Sequence, residues 1–261
     1  MLSYRIKSAL IVSSVLLLSH DICAQESRLD RITQVGKIRI GTTGDFRPFS
    51  YWNPDSMAFE GMDIEAARLL GQALGVTVRF VPTTWSTLKE GILQDRYDLA
   101  MGGITRTLNR LKAVGMTRPY LTVGKVPLIR KADRARFQSL KDIDRPGVRI
   151  GVNPGGTNER FVRSHIEQAV VVVIEKNLDI PDRVASGDVD VMFTDNVEAI
   201  LAARKNPKLH AMRPDEPYTR DDFGYMTLRD DQPLLNWLDL WVDQMERDGS
   251  FDRLRQKWIG Q

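Results

Sequence analysis

Two pairs of similar segments, with one member of each pair in each half of the chain, constrain the fold most strongly. IRIGTTGD at 38–45 resembles VRIGVNPGG at 148–156, and YDLAMGGIT at 97–105 resembles VDVMFTDNV at 189–197. Each segment is an apolar, strand-like run that ends in a loop, and stretches with helical periodicity separate these runs. Such alternation predicts an α/β fold whose sheets are mainly parallel and flanked by helices. The repetition predicts two similar lobes.

The chain is expected to pass between these lobes twice. The candidate crossings are YLTVGKVPLIRKAD at 120–133 and YTRDDFGYMTLRD at 218–230. We therefore assign residues 25–125 and 220–261 to a discontinuous lobe 1, and residues 126–219 to lobe 2. Two crossings form a hinge, and hinged lobes can close on a ligand and exclude water.

Four loops are predicted to meet in one cleft between the lobes. In open α/β sheets, ligands bind outside the carboxyl ends of the strands. The loops that follow Thr43, Gly103, Asn153 and Asp195 all lie at such ends. The repeat therefore predicts a binding site to which both lobes contribute residues.

The first 24 residues have the pattern of a secretory signal peptide. A positively charged start precedes the apolar run ALIVSSVLLL at 9–18, which is shorter than the roughly 20 residues that span a bilayer. We place the cleavage near Ala24. The single cysteine, Cys23, would leave with this peptide, and the residues before it do not resemble a lipoprotein cleavage site. We therefore expect an exported protein that has neither a disulfide nor a membrane anchor.

Composition and charge limit the classes of function. The chain is 42% hydrophobic and 27% charged, with a formal net charge of +3 and no basic run. This composition is typical of a globular protein, and nothing in it predicts binding to nucleic acid or to a membrane surface. His165 and His210 lie in no cluster of metal ligands, and no nucleophile motif occurs. We therefore expect no metal and no other cofactor.

The turn VNPGGTNER at 152–160 and the side chain of Arg110 are candidates for anion binding. Glycines let the backbone approach a ligand closely, and the free N–H groups at the start of the following helix favour an anion. The alternative is a tight turn in which Thr157 or Asn158 caps that helix. Arg110 follows a predicted strand and has the geometry for a bidentate carboxylate contact, but a solvated helix arginine is the commoner case.

Lys125, Phe46 and Trp85 also have two interpretations. Lys125 lies in the apolar crossing segment TVGKVPLI. In a buried strand its ammonium would need a partner, whereas on an edge strand a lysine is common. Phe46 and Trp85 are candidates for an aromatic wall of the cleft, although aromatic side chains are more often core residues.

Asp195 and Glu198 lie three residues apart, where a predicted strand meets a predicted helix. Their spacing is that of a capping box, in which an acid caps the helix and a glutamate reaches back to it. On the pattern alone, capping is the better hypothesis. Their position at the predicted cleft favours a role in the ligand site instead. The capping hypothesis and the ligand-site hypothesis differ only in where the side chains point.

Residues 25–261 resemble the periplasmic amino-acid-binding proteins, which are the two-lobed ligand traps of ABC importers. The resemblance lies in IGTTGDFRPFSY, FEGMDIEAARLLGQALG, MGGITRTLNR and FTD. It implies the type II periplasmic-binding-protein fold, a periplasmic location and a small-molecule ligand. It also implies that Arg110 and the backbone near Gly103 and Thr105 hold a substrate carboxylate. The turn at Thr157 and Asn158 would add contacts, and Asp195 would hold an amino group.

A more specific resemblance is to an enzymatic branch of this superfamily, the periplasmic cyclohexadienyl dehydratases. It lies in AQESRLDRI, TTGD, RFQSL, DIDRPGV and above all VNPGGTNE. These enzymes convert prephenate to phenylpyruvate and arogenate to phenylalanine, with loss of water and carbon dioxide. The resemblance implies that Glu198 is the general acid, and that Asn153 and Lys125 take part in catalysis.

The same resemblance extends to the substrate-binding residues Asp45 and Trp85. It departs from the enzyme pattern at Phe46 and, in detail, in ITRTLNR around the retained Arg110. Phe46 stands where the enzymes have a tyrosine, so that ring packing would be kept and a phenolic hydrogen bond lost. The alternative function is an amino-acid-binding protein whose partner is an ABC permease. Both functions share the fold and the carboxylate clamp, so only Glu198, Asn153 and Lys125 together separate them.

Overall fold

The computed structural model describes residues 26–260, and the predicted signal peptide at 1–24 therefore lies outside the described residues. The strands are β1 Lys37–Thr42, β2 Asp45–Phe46, β3 Ser50–Asn53, β4 Ala58–Glu60, β5 Thr77–Pro82, β6 Leu99–Ala100, β7 Val114–Met116, β8 Leu121–Val123, β9 Lys125–Arg130, β10 Arg149–Val152, β11 Val170–Val173, β12 Val191–Asp195, β13 Leu209–Ala211, β14 Asp221–Phe223 and β15 Met226–Leu228. The α-helices are α1 Arg28–Val35, α2 Met62–Leu74, α3 Leu88–Leu93, α4 Leu108–Leu111, α5 Leu140–Ile143, α6 Thr157–His165, α7 Ile180–Ser186, α8 Asn196–Lys205, α9 Gln232–Arg247 and α10 Ser250–Trp258. Two 3-10 turns span Lys131–Asp133 and Asn177–Asp179.

Each lobe is built on one five-stranded sheet. The strand order is β5-β1-β6-β15-β7 in lobe 1 and β11-β10-β12-β9-β13 in lobe 2. In lobe 1, β1 is parallel to β5 and β6, whereas β15 is antiparallel to both of its neighbours. Lobe 2 repeats this arrangement, with β9 as its reversed strand. Four of the five strands in each sheet therefore run in one direction.

The reversed strands are those that enter each lobe after a crossing. The first crossing leads from β8 into β9, and the second leads from β14 into β15. β8 and β14 pair antiparallel with each other, which joins the two crossings into a two-stranded hinge. The predicted two-lobed α/β fold with two hinge crossings is confirmed, while the lobe boundaries given above stay a prediction.

Helix α2 shows how the sequence produces the local structure of lobe 1. Met62, Ala66 and Leu70 recur every four residues and are completely buried, which places one face of the helix against the sheet. Gly75 ends the helix in the left-handed conformation at φ 69°, where its N–H reaches back to the last turn. The apolar periodicity of MDIEAARLLGQALG therefore accounts for this helix.

Element boundaries were less predictable than element types. The sequence predicts a helix from about Trp85 to Gln94, but α3 begins only at Leu88. Residues 84–87 instead form a turn in which Thr84, Ser86 and Thr87 bond to one another through their hydroxyl groups. Hydroxyl side chains compete with helical hydrogen bonds in this way. Trp85 is therefore held on a turn rather than on a helix.

The large apolar core of lobe 1 extends to the interface between the lobes. Val197 of α8 belongs to that core, and Leu201 packs against it from lobe 2. Lobe 2 has its own cores on the two faces of its sheet. Within residues 26–260, no helix is both long and apolar enough to cross a bilayer.

Candidate active site

A small cavity lies between the lobes, at the carboxyl ends of the central strands. Its volume of about 20 Å³ is room for about one water molecule. The residues that line it come from both lobes: Phe46, Trp85, Gly103, Thr105, Asn153, Gly156, Thr157, Asn158, Asn177 and Asp195. A ligand of a dozen heavy atoms requires more space, so the lobes or their side chains must move apart to admit one.

Eight of the predicted site residues line this cavity, and the others lie outside its lining. Those outside are Asp45, Arg110, Lys125 and Glu198. Each of them is joined to the cavity through a residue that does line it. The structure therefore brings the predicted residues of both lobes together, while their roles toward a substrate stay a prediction.

Arg110 is a buried cation that has no acidic partner in the described part of the chain. Its side chain is 7% exposed, and its guanidinium donates to the carbonyl oxygen of Thr105 at 2.6 Å. It forms no ion pair with a carboxylate among residues 26–260. Burial, together with the nearby cation Arg160, lowers the pKa of Arg110 to about 10. An unpaired buried cation is costly, and a substrate carboxylate would offset that cost.

The start of helix α6 adds a second feature that favours an anion. The helix begins at Thr157, and Gly156 occupies the N-cap position without a side-chain hydrogen bond. The hypothesis that Thr157 or Asn158 caps this helix is therefore wrong. Gly156, Thr157 and Asn158 instead line the cavity, where the partial positive charge of the helix start favours an anion.

The two lobes are in contact around this helix start. The hydroxyl oxygens of Thr105 in lobe 1 and Thr157 in lobe 2 lie 3.2 Å apart. Gly155, at φ 85°, approaches the other lobe so closely that a Cβ atom would lie 2.6 Å from the backbone nitrogen of Ser86. Only glycine combines this backbone conformation with so close an approach. The lobes are therefore closed on each other.

Phe46 and Trp85 form an aromatic wall. Their rings are perpendicular, with centroids 5.8 Å apart, and Phe46 also packs against Phe223 at 6.1 Å. The indole N–H of Trp85 donates to the carboxylate of Asp45 at 2.9 Å, which fixes the orientation of the ring. Burial raises the pKa of Asp45. The two aromatic residues thus serve both the core and the cavity.

Gly103 brings the backbone close to this wall. It has a φ of 69°, and a Cβ atom there would lie 2.5 Å from a ring carbon of Phe46. Its N–H donates to the buried carboxylate of Asp63 at 2.6 Å. Asp63 also accepts hydrogen bonds from the hydroxyl groups of Tyr120 and Tyr225. Burial raises the pKa of Asp63 to about 6.

Lys125 and Asp195 form a buried ion pair. The two residues are aligned partners in the antiparallel pairing of β9 with β12, and the ammonium nitrogen lies 2.8 Å from Oδ1 of Asp195. Their side chains are 2% and 3% exposed. Burial raises the pKa of Asp195, and the charge of Lys125 opposes that rise. Of the two interpretations of Lys125, the buried strand with a partner is the correct one.

Glu198 is buried and held by neutral donors. Its side chain is 4% exposed, and Oε1 accepts from the amide nitrogen of Asn177 at 3.0 Å. Oε2 accepts a short hydrogen bond from the hydroxyl group of Thr194. Neither partner is a backbone N–H of helix α8, and the side chain of Asp195 makes no capping hydrogen bond either. Asp195 occupies the N-cap position, but the capping-box hydrogen bonds predicted as one alternative are absent from this helix.

The environment of Glu198 favours its neutral form. Burial raises the pKa of its carboxyl group to about 8, and the negative charges of Asp195 and Asp45 act in the same direction. The hydrogen bonds from Thr194 and Asn177 only partly oppose this rise. At pH 7 the group is therefore mostly protonated, which is the state that a general acid requires.

Asn177 is a site residue that the sequence analysis missed. It lies in the 3-10 turn of lobe 2, is 1% exposed, and its amide nitrogen donates to both Glu198 and the carbonyl oxygen of Asp45. It therefore connects Glu198 to lobe 1. No motif marks this position, but an asparagine between the strand-like run VVVVI and the helix-like run IPDRVA was a weak signal of a turn.

Two buried amide oxygens near the cavity make no hydrogen bond with the described residues. They are Oδ1 of Asn158 and Oδ1 of Asn177. A hydroxyl group or a water in the cavity would satisfy them, because buried polar atoms are nearly always hydrogen bonded. The arrangement therefore combines a buried acid, a buried unpaired cation and acceptors for a hydroxyl group. Among residues 26–260, no group of three or more histidine, cysteine or acidic side chains is placed to hold a metal ion.

Comparison with known proteins agrees with this geometry. The family of bacterial extracellular solute-binding proteins, family 3, matches residues 38–261. Cyclohexadienyl dehydratase of Pseudomonas aeruginosa is 38% identical over 244 residues, which cover 94% of this chain and 90% of that protein. The L-cystine-binding protein TcyJ of Escherichia coli K12 is 24% identical over 91% of this chain and 88% of its own length.

Solved structures include both an enzyme and a binding protein. An ancestral cyclohexadienyl dehydratase is 49% identical, with a TM-score of 0.57, and the match covers 90% of this chain and 98% of that one. An ancestral amino acid-binding protein, described as a precursor of cyclohexadienyl dehydratase, is 33% identical with a TM-score of 0.84. That match covers 89% of this chain and all of the other. The resemblance predicted from the motifs is thus confirmed: this chain belongs to the bacterial extracellular solute-binding proteins of family 3 and is a homologue of cyclohexadienyl dehydratase.

Proposed function

We propose that this protein is a periplasmic cyclohexadienyl dehydratase, a carbon-oxygen lyase that converts prephenate to phenylpyruvate and arogenate to phenylalanine. The observation that carries the proposal is the buried carboxyl group of Glu198, with its pKa raised to about 8 beside the interlobe cavity. A protein that only binds amino acids has no use for a protonated acid at this position. The identity of 38% to cyclohexadienyl dehydratase over most of the chain supports the same conclusion.

The reaction needs one proton and little else from the protein. Hydroxide is a poor leaving group, so the ring hydroxyl of prephenate must be protonated as its carbon–oxygen bond breaks. The bond between the ring and its carboxylate breaks as well, carbon dioxide leaves, and its electron pair completes the aromatic ring. Water, carbon dioxide and phenylpyruvate are the products, and Glu198 regains its proton from solvent.

We assign the proton donation to Glu198 and the orientation of the departing oxygen to Asn153. Asn153 is 3% exposed and lines the cavity. With the lobes closed over a substrate and bulk water excluded, both groups would act without competition from solvent. Holding the substrate in a reactive geometry then supplies much of the remaining rate enhancement, since aromatisation already drives the reaction.

The substrate carboxylates need cations. We propose that Arg110 and the start of α6 bind the side-chain carboxylate, because that guanidinium is buried and forms no ion pair with a carboxylate of residues 26–260. The ammonium of Lys125 would attract the ring carboxylate from the opposite side. Gly103 and Thr105 would complete the clamp, and Phe46 and Trp85 would pack against the ring.

The Lys125–Asp195 pair bears on the choice between enzyme and binding protein. An amino-acid-binding protein needs a free carboxylate for the ammonium group of its ligand. Here the ammonium of Lys125 lies 2.8 Å from that carboxylate. The site therefore supplies its own cation, which suits prephenate because that substrate has no amino group. Arogenate, which has one, would share Asp195 with Lys125.

The test is to add the purified protein to prephenate and to follow phenylpyruvate by its absorbance in alkali. We expect product to form well above the spontaneous rate. Product formation at the spontaneous rate would contradict the proposal, and binding of an amino acid under the same conditions would then favour the alternative of an importer component. Phenylalanine formed from arogenate measures the second activity.

A further inference from the structure

A second and much larger cavity lies between the lobes, next to Glu198. Its volume of about 510 Å³ is within the range of small-molecule sites, which hold roughly 300–1,000 Å³. Glu198 contributes to its lining, while Asn177 and Asp195, its neighbours, line the small cavity. Glu198 therefore stands between the two cavities, and none of the residues that line the small cavity lines the larger one.

Both lobes contribute walls to this second cavity. Lobe 1 supplies Arg47, Pro48 and Tyr51 from the β2–β3 hairpin, and Trp258 from α10. Lobe 2 supplies residues around α7 and along α8 that are mostly apolar: Leu178, Pro181, Asp182, Leu201, Ala202, Lys205, Asn206, Pro207 and Leu209. The rings of Tyr51 and Trp258 are nearly perpendicular, with centroids 6.5 Å apart. Such walls suit a flat apolar ring.

The charged residues of this second cavity favour a carboxylate. Arg47 stacks over the ring of Tyr51 at 3.8 Å, and Lys205 is the last residue of α8 on the opposite wall. Neither forms an ion pair with a carboxylate among residues 26–260. Asp182 is the exposed acid in the lining, and Glu60, which accepts a hydrogen bond from the hydroxyl group of Tyr51, lies near Arg47. A guanidinium and an ammonium on facing walls suit a ligand carboxylate.

We propose that this cavity is a second binding site, which takes an aromatic monocarboxylate. The ring would lie between Tyr51 and Trp258 on one side and Leu201 on the other, and the carboxylate would contact Arg47 and Lys205. The proposed product, phenylpyruvate, belongs to this class, so the choice of probe rests on the proposed function. The site itself rests on the cavity, its aromatic walls and its cations.

A ligand at this site contacts both lobes and therefore stabilises the closed arrangement. A ligand shifts an equilibrium only through its different affinities for the two states, and separated lobes would offer it half of these contacts. Release of product from the active site requires opening. Occupancy of the second cavity should therefore slow turnover in a way that saturating prephenate does not relieve.

The experiment measures equilibrium binding of phenylpyruvate to three single variants. Arg110→Ala removes the carboxylate clamp of the active site and should retain binding at the second site. Ala202→Trp fills the second cavity, and Lys205→Gln removes one of its cations. We expect about tenfold weaker second-site binding in Lys205→Gln and loss of that binding in Ala202→Trp. The matched control is Lys141→Gln, since Lys141 is likewise an exposed lysine in the last turn of a helix.

Each outcome decides the proposal. A single phenylpyruvate site that is lost in Arg110→Ala and unchanged in Lys205→Gln would overturn it. If Ala202→Trp does not fold, the affinities of Lys205→Gln and Lys141→Gln for phenylpyruvate still test the second site: equal affinities would overturn it. The proposed function fails separately: a protein that binds phenylpyruvate at the second cavity but does not convert prephenate would contradict the dehydratase assignment alone.

Discussion

Asp195 and Glu198 are only three residues apart, yet their surroundings stabilise different charge states. Asp195 faces the ammonium of Lys125 at 2.8 Å, which favours its anion. Glu198 faces only the neutral donors Thr194 and Asn177, and burial raises its pKa to about 8. A helix start that resembles a capping box thus holds one ion-paired acid and one protonated acid.

Replacing Glu198 by glutamine separates a catalytic role from a structural one. We expect Glu198→Gln to lower kcat about 10²–10⁴-fold, which is the usual contribution of a general acid. The melting temperature should change by only a few degrees, because glutamine has the same shape and can keep both hydrogen-bond partners. Measuring both quantities on one preparation tests this. Near-normal turnover together with a large loss of stability would indicate a mainly structural role for Glu198.

Some of these side chains could be predicted from the sequence and others could not. Some candidate site residues lie in segments that resemble known relatives, so the sequence could identify them: Arg110, Lys125 and Glu198. Asn177 was missed, because its contacts with Asp45 and Glu198 join residues 132 and 21 positions away. Local pattern carries no information about such contacts. The pairing of Lys125 with Asp195 was missed for the same reason, although both residues were predicted.

The pairing of β9 with β12 is what places Lys125 against Asp195. The register aligns these two residues directly, so the ion pair follows from the sheet rather than from either residue alone. A buried pair of this kind contributes little net stability, but removal of one partner leaves an uncompensated charge. The two strands thus make the site sensitive to single substitutions.

We expect Lys125→Met to lower the free energy of unfolding by about 3–5 kcal/mol, because Asp195 would remain buried without a cation. The double variant Lys125→Met/Asp195→Leu should recover most of that loss, since it removes both charges. Urea denaturation of the two variants measures these changes. Turnover should stay low in both, because neither supplies the cation of the site. Equal stability of Lys125→Met and the unaltered protein would contradict the buried pair.

Secondary structure was predictable where its pattern was local. Strands β1, β6, β10 and β12 were predicted because each lies in one of the four repeated segments, which are apolar runs that end in loops. The short helices α3 and α6 were less accurate at their starts, where hydroxyl and glycine residues decide the boundary. Those boundaries depend on local hydrogen bonds, which the spacing of apolar residues does not describe.

The angle between the two lobes depends on the complete chain rather than on any one element. The chain is 49% identical to an ancestral dehydratase at a TM-score of 0.57, yet 33% identical to an ancestral binding protein at 0.84. A relative with higher sequence identity can have the lower TM-score when the angle between its two rigid lobes differs from the angle in this protein. The two-stranded hinge of β8 and β14 permits such a difference. The repeat in the sequence predicted the cleft, but it could not predict the angle.

Gly155 offers a test of closure. In Gly155→Ala the added methyl group would meet the backbone of Ser86 in the other lobe, so we expect the lobes to close incompletely and kcat/KM to fall about tenfold or more. Gly147→Ala is the matched control, because Gly147 has a φ of 84° and no atom within 4 Å of the added Cβ. Both variants bear the same backbone strain. Equal kcat/KM in the two variants would show that close contact of the lobes is not needed.

The dependence of kcat on pH is the most direct test of Glu198 as the proton donor. The folded protein holds Glu198 protonated up to its raised pKa of about 8, and only the protonated group can donate. We expect kcat to be constant near pH 6–7 and to fall as the pH rises through about 8. The residual rate of Glu198→Gln should not show this fall. A rate for the unaltered protein that stays flat through pH 9, or that rises, would contradict Glu198 as the general acid.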